Sequence, residues 1–327
     1  MKKNEINNLQ LPNPETDRTG WPWTESEEQL HSLKLEGLSW PKISVVTPSY
    51  NQGQFIEETI RSVLLQGYPN LEFIIIDGGS NDGSVDIIKK YDPWLAYWVS
   101  EQDRGQSHAV NKGIRHATGE ILLWLNSDDI CLPGAFNLVT QAFQSDTDRK
   151  LVIGQARIID QDSKIIGDLC SNFTSWEEIV TNPGNSVRQI STFFSKNLFD
   201  QFGLINESLH IAMDTELLVR FIQHHDPIIL NEFVTAYRSH FLAKTSSQLL
   251  RGYEETDRVR SKYLTSPELI TSYRKRSAMN WLNLSESDKY SRSDRIKCLW
   301  HAFRIQPTLL LVRGFWSSLK KLSSDTK

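Results

Sequence analysis

From residue 43 to residue 125 the chain repeats one pattern: a short apolar run, a polar loop, then apolar residues at helical spacing. Residues 43–47, rich in β-branched side chains, predict a strand. Residues 55–66 carry Ile56, Ile60, Val63 and Leu64 on one face, the period of a helix packed by one side. Residues 71–76 are apolar except for Glu72 and predict a second strand, and residues 84–91 a short helix capped by Asp82 or Ser84. A strand over 96–99, a helix over 107–117 closed by Gly119, and a strand over 121–125 complete the run. Strands and helices alternating at this spacing make right-handed crossovers, so a mostly parallel central sheet with helices on both faces is expected. From 151 to about 237 strands continue with intervening helices, one of them over 213–224 with Leu217, Leu218, Phe221 and Ile222 as its core face. Beyond about residue 250 the pattern is helical.

In such sheets ligands bind outside the carboxyl ends of the strands. Those ends carry Thr47-Pro48-Ser49-Tyr50-Asn51, Asp77-Gly78-Gly79-Ser80, Ser100-Glu101-Gln102-Asp103-Arg104-Gly105 and Asn126-Ser127-Asp128-Asp129. All four are small, polar or acidic, and the topology brings them to one edge. The last cluster is the most informative. Adjacent carboxylates repel, and enclosing them is costly unless a positive charge sits between them. Hard oxygen donors suit magnesium or manganese. Taken alone, the same cluster also reads as an Asx-rich turn before a helix begun by Pro133.

Composition narrows the class. With 39% hydrophobic and 23% charged residues in 327, the chain reads as an ordinary soluble α/β protein. No apolar stretch is long enough to span a bilayer, and the polar first twenty residues show no secretory pattern. Cys131, Cys170 and Cys298 are scattered and odd in number, which fits a reducing compartment and a cytoplasmic location. The net charge of −4 argues against nucleic acid as the main partner. Residues 251–327 hold sixteen Lys or Arg against eight Asp or Glu, a balance of +8 that leaves −12 for the rest.

The motifs in order, Val46-Thr47-Pro48-Ser49-Tyr50-Asn51, Ile76-Asp77-Gly78-Gly79-Ser80-Asn81-Asp82-Gly83-Ser84, Asp103-Arg104-Gly105-Gln106, Asn111-Lys112-Gly113, Ala117-Thr118-Gly119-Glu120 and Leu125-Asn126-Ser127-Asp128-Asp129, resemble the inverting family-2 glycosyltransferases of GT-A fold. The resemblance spans residues 43–245. It implies a Rossmann-like α/β catalytic domain over 41–248, divided into a nucleotide-binding half (41–130) and an acceptor half (131–248). An amino-terminal arm (1–40) and a basic helical extension (249–327) flank it. It implies a nucleoside diphosphate-sugar donor, with UDP favoured, a glycan or lipid-linked acceptor, and Mn2+ or Mg2+ as cofactor in polysaccharide or glycolipid assembly. By the resemblance Asp77 accepts from a pyrimidine base, Tyr50 stacks on it, and Thr47 and Asp103 lie on the same edge. Asn126 takes the first position of the family's Asp-x-Asp motif, facing the ribose, and Asp128 the last, as metal ligand with Asp129 beside it. The neutral amide at 126 departs from the family pattern and lowers the charge of the site. Asp214, at the start of the helix over 213–224, stands where the family places its general base, with Glu216 as second candidate. As bland alternatives, Asp214 caps its helix. Tyr237-Arg238-Ser239-His240 with Lys244-Thr245 also resembles the family: His240 joins the metal shell or meets the diphosphate, and Lys244 neutralises phosphate, or both lie in an ordinary solvated loop.

In the extension Leu309, Val312, Phe315, Trp316, Leu319 and Leu322 recur at helical spacing after Pro307, opposite Arg313, Ser317, Lys320 and Lys321. A basic, Trp-bearing amphipathic helix suits an anionic membrane surface, giving a peripheral enzyme on the inner face. The same stripe also suits docking on the catalytic domain or a second subunit. Two rivals to the transferase stay in view: a sugar nucleotidyltransferase, which wants a Gly-rich basic loop near the amino terminus that is not found, and a non-catalytic nucleotide-sugar sensor.

Overall fold

A computed structural model of the chain describes residues 11–14, 18–24, 40–148, 150–182, 184, 187–240, 248–288, 290–311 and 313–324. Among them the elements of the first half run β1 (Ile43–Ser49), α1 (Ile56–Leu64), β2 (Leu71–Asp77), α2 (Ser84–Lys90), β3 (Tyr97–Ser100), α3 (Gln106–His116), β4 (Ile121–Trp124), β5 (Ile130–Cys131) and α4 (Ala135–Ser145). Then come β6 (Leu151–Ile159), β7 (Ile165–Leu169), α5 (Trp176–Thr181), β8 (Thr192–Ser195), α6 (Asn197–Phe202), α7 (Met213–Ile222) and β9 (Ile228–Arg238). The carboxyl-terminal helices are α8 (Leu249–Ser261), α9 (Pro267–Glu286), α10 (Arg292–Ile305) and α11 (Arg313–Ser324).

The strands form one sheet in the order β3-β2-β1-β4-β8-β6-β9-β5, with β7 paired to β6. The pairs β3–β2, β2–β1 and β1–β4 are parallel, as the crossover pattern requires. Beyond β4 the sheet continues through antiparallel β8, and β6 and β9 then lie parallel to each other. All seven residues of β1 are buried, because helices cover both faces of the strand. Its core neighbours include Phe73, Ile75, Leu123, Phe136 and Phe193. Each large apolar side chain fully enclosed in this way stabilises the fold by about 1.5–3 kcal/mol. Glycine sets how closely α3 lies on β1: a Cβ at Gly113 would stand 2.3 Å from Val46 Cγ1.

Strand order places β1 between β2 and β4, where the connection reverses direction and a crevice opens. The β1–β4 ladder ends at Val46 opposite Trp124. Pro48, which has no N–H, lies beyond that pairing and beside the opening.

The chain divides into two compact units: residues 1–173 with 187–249, and residues 174–186 with 250–327. The second unit is helical. Ala278, Trp281, Leu282, Cys298, Leu299 and Ala302 form its core, joined by Leu309 and Phe315. Asp257 collects the Tyr273 and Ser277 hydroxyls and the Trp281 indole N–H. The stripe expected as one helix over 309–322 is divided. Pro307–Leu311 is a 3-10 turn and α11 begins at Arg313. Leu309 and Phe315 turn into the core, while Trp316 and Leu319 are exposed. Val312 and the Leu322 side chain lie outside the described residues. No helix among the described residues is long and apolar enough to cross a membrane.

Candidate functional site

A cleft of about 780 Å³ opens at the carboxyl ends of β1, β2 and β4, within the first unit. Its floor is built by loops that hold one another. Asn51, at φ +51°, donates its N–H to Ser80 Oγ (2.8 Å) and accepts from the Asn81 N–H (3.0 Å). The Gly53 N–H reaches Asp82 Oδ2 (2.8 Å) and the Gln52 N–H reaches Ser84 Oγ (3.0 Å). This lacing holds Tyr50 outward, 62% exposed, on the cleft wall. Gly78 lies beneath it, where a Cβ would meet Asp103 Oδ2 at 2.7 Å and Tyr50 Cδ2 at 3.3 Å. Gly79, at φ +85°, adopts a backbone few other residues tolerate.

The residues singled out from sequence, His240 apart, fall into three groups. Tyr50, Asp103, Asn126, Asp128, Asp129 and Asp214 all border the cleft. Thr47 and Asp77 are enclosed behind it. Asp77 accepts from the Gly79 and Ser80 N–H groups and from the Ser80 and Ser100 hydroxyls. Three of these donors share Oδ2, while Oδ1 accepts from Ser80 Oγ alone, which leaves Oδ1 room for one more donor. The third group stands apart: Glu216 forms a two-toothed ion pair with Arg220 (2.9 and 3.0 Å) on its own helix, and Lys244 lies outside the described residues.

Asn126 is fixed on every side. Its Oδ1 accepts from Gln106 Nε2 (2.8 Å) and Trp124 Nε1 (3.0 Å), and its Nδ2 donates to Asp129 Oδ2 (3.0 Å). That donation gives a physical reason for the amide at 126, since a second carboxylate would face Asp129 with like charge. Asp129 is almost wholly enclosed, and its Oδ1 accepts the Arg238 N–H (2.9 Å). Burial, and then the charge of Asp128, push the Asp129 carboxyl well above the ordinary carboxylate range. Both its oxygens are therefore committed to shaping the turn.

Asp128 is the outward member. Its Oδ2 lies 3.0 Å from His240 Nε2, so the strand end after β4 and the strand end after β9 meet at one point. Arg238 joins them from behind: its Nε donates to the Asp128 carbonyl (2.8 Å) and its Nη2 pairs with Glu58 on α1 (3.0 Å). Both side chains of that pair are fully buried, and Ser163 and Arg18 also contact Glu58. Sequence reading quoted Arg238 without a role and passed over Glu58, which looks like a solvated acid in the first turn of a helix. Nothing local in the sequence marks a partner 180 residues away.

The Asp128–His240 pair fits a divalent cation. It offers an anionic oxygen and an imidazole nitrogen at one point beside the cleft. Among the described residues no cluster of three or more His, Cys, Asp or Glu forms a closed cage. A cation bound there would need further oxygen donors, as magnesium takes from water and phosphate.

Asp214 occupies the first turn of α7 and borders the same cleft. The residue is half-buried. Burial raises the carboxyl above the ordinary carboxylate range, against the Thr215 N–H (2.6 Å) and the Arg188 guanidinium, which favour the anion. Arg188, Gln189 and His210 were not singled out from sequence. Gln189 reaches the Trp124 carbonyl (2.6 Å) and borders the cleft with His210.

Three comparisons bear on this geometry. The model of the family described as "Glycosyl transferase family 2" matches residues 44–199. An uncharacterized glycosyltransferase of Mycobacterium tuberculosis is 30% identical over 210 residues, covering 60% of this chain and 76% of that protein. S. aureus TarS 1–349, solved in complex with UDP-GlcNAc, superposes with a TM-score of 0.61 at 16% identity, covering 81% of each chain. The mannosyltransferase PcManGT of Pyrobaculum calidifontis, solved with GDP-Man and Mn2+, does so with a TM-score of 0.52 at 16% identity, covering 88% of this chain and 89% of that one. At that identity the structural likeness carries the fold, while the sequence relationship carries the family. The parallel β1–β4 core, the cleft at its carboxyl edge and these relatives agree, and the chain belongs to glycosyltransferase family 2, with the GT-A fold.

Proposed function

We propose that the cleft moves a sugar from a nucleoside diphosphate-sugar to an acceptor hydroxyl with inversion, Asp214 serving as general base. The observation that carries this reading is that one cleft is bordered both by Asp128, which pairs with His240, and by Asp214, whose carboxyl is raised by burial. Structural neighbours were solved with UDP-GlcNAc and GDP-Man, which supports a nucleotide-sugar donor; the pyrimidine nucleotide remains the preferred one.

In this reading Tyr50 offers a ring face to the base and the Gly78–Gly79 backbone lets base and ribose approach closely. Asn126, pinned by Gln106 and Trp124, presents its amide on the ribose side. Asp128 and His240 would hold Mg2+ or Mn2+, and the cation would neutralise charge on the diphosphate. The acceptor oxygen attacks the anomeric carbon as its proton passes to Asp214. The bond from that carbon to the diphosphate oxygen breaks, and the electron pair leaves with the nucleoside diphosphate. Raising the Asp214 pKa strengthens it as a proton acceptor in the range where it is still ionised.

The test is a screen of UDP- and GDP-sugars with manganese, scored by nucleoside diphosphate release, on wild type and Asp128→Ala. Wild type releases product with one donor class, and the variant loses both turnover and manganese-dependent nucleotide binding. A variant that still binds nucleotide in a manganese-dependent way would remove Asp128 from the metal role. A wild type that binds nucleotide-sugar but never turns it over would favour the sensor.

A further inference from the structure

We infer that the exposed face of α10, continued by α11, is a docking surface for an anionic phospholipid bilayer. On α10, Ile296, Trp300 and Phe303 stand at i, i+4 and i+7, a single helical face. They are 49%, 55% and 36% exposed. The opposite face, with Cys298, Leu299 and Ala302, is the core of the helical unit, so Ile296 and Trp300 stand out from that packing, while Phe303 borders it. Exposed Arg292, Lys297 and Arg304 flank them, and the Arg304 guanidinium lies 5.3 Å from the Trp300 ring centre. The acid on this helix, Asp294, lies off the apolar line and contacts Lys297.

α11 extends the surface. Phe315, buried, touches Phe303 on one side and Trp316 on the other, at 6.3 and 5.9 Å between ring centres. Trp316, Leu319 and Lys320 are exposed. The described part of α11 carries no acidic residue. Apolar and aromatic tips ringed by cations are what an anionic headgroup layer attracts: the rings enter the headgroup boundary and the cations meet lipid phosphate. A second copy of this chain is the weaker occupant. A two-fold contact through the same face would set Arg292, Lys297 and Arg304 against their own equivalents.

The experiment uses the full chain and sedimentation with vesicles. Phosphatidylglycerol–phosphatidylcholine vesicles should carry the protein down, and pure phosphatidylcholine should not. Added salt should release it. Arg304→Gln should weaken partition about fivefold, and the pair Ile296→Ser with Trp300→Ser about tenfold or more. Both variants change exposed side chains remote from the catalytic residues in sequence, so melting temperature and nucleoside diphosphate release stay at wild-type values and report that the fold is intact. The inference does not depend on the proposed chemistry, because vesicle binding is read without turnover. It is overturned if binding is equal on neutral and anionic vesicles, or if no vesicle binds. It is also overturned if the wild type is a dimer that the double variant converts to monomer while vesicles are ignored.

Discussion

Asp214 shows how a single carboxyl in the first turn of a helix acquires a role that its neighbours lack. Glu216, two residues on, is neutralised by Arg220, which also donates to the Phe202, Gly203 and Leu204 carbonyls. Asp214 instead pays for enclosure with a raised pKa. Two consequences follow for Asp214→Asn. Turnover should fall by about 10²-fold or more, with donor affinity little changed, the scale of losing a general base. The folded state should meanwhile gain stability at neutral pH. A carboxyl whose folded pKa is raised binds its proton more tightly in the native state, so ionising it costs stability as pH climbs from the ordinary carboxylate range to the raised value. Asparagine removes that cost. Melting curves of the two proteins should therefore separate at neutral pH and converge as pH falls into the ordinary carboxylate range. For the wild type, kcat/KM should decline on acidification at a higher pH than an exposed carboxylate would give. A melting temperature unchanged at every pH would mean that the carboxyl is solvated.

At the level of elements, the Asp128–His240 pair is held in place from a distance. α1 supplies Glu58, β9 ends in Arg238, and the guanidinium links that acid to the turn after β4. Such a pair is weak evidence of stability in itself, because both charges lose their water. Breaking one side is another matter: Glu58→Gln leaves a buried guanidinium without its counter-charge and should cost about 3–5 kcal/mol in denaturant unfolding. Manganese-dependent nucleotide binding should weaken as well, since Arg238 sits two residues before His240 and bonds the Asp128 carbonyl. A stable variant with intact nucleotide binding would show that the turn holds its shape without the pair.

For the molecule as a whole, the division into units does not follow the chain. α5 lies in sequence between β7 and β8, yet it belongs with the helical unit, where Arg276 pairs with Glu178 (2.6 Å) and Ile179 and Val180 are buried. Deleting residues 250–327 would strip those apolar side chains of their cover. The shortened chain should aggregate or elute as a broad distribution in size exclusion, although the residues proposed for catalysis all precede the cut. A monodisperse, fully active truncation would show that α5 finds another place to pack. Removing only the residues after Pro307 takes away Leu309 and Phe315, which are core, so that shorter deletion should also lower the stability of the helical unit.

Much of this protein was decided locally and is legible in the sequence. Continuous β-branched runs and one-sided helical stripes need only their own neighbours to be recognised, and they place β1 to β4, the parallel crossovers and the polar edge with Tyr50, Asp103, Asn126 and Asp128, whereas Asp214 on α7 is reached only through the family resemblance. Other features depend on partners far along the chain. Asp77 and Asp128 look alike as acids at strand ends; four donors occupy the first, while the second reaches His240 across 112 residues. Glu58 and Arg238 become a buried pair only when α1 and β9 are brought together. The carboxyl-terminal stripe has the spacing of one amphipathic helix, but the 3-10 turn over Pro307–Leu311 and the fit of Leu309 and Phe315 around α10 divide it. Periodicity records which residues share a face, whereas the faces that find cover depend on contacts that only the folded chain creates.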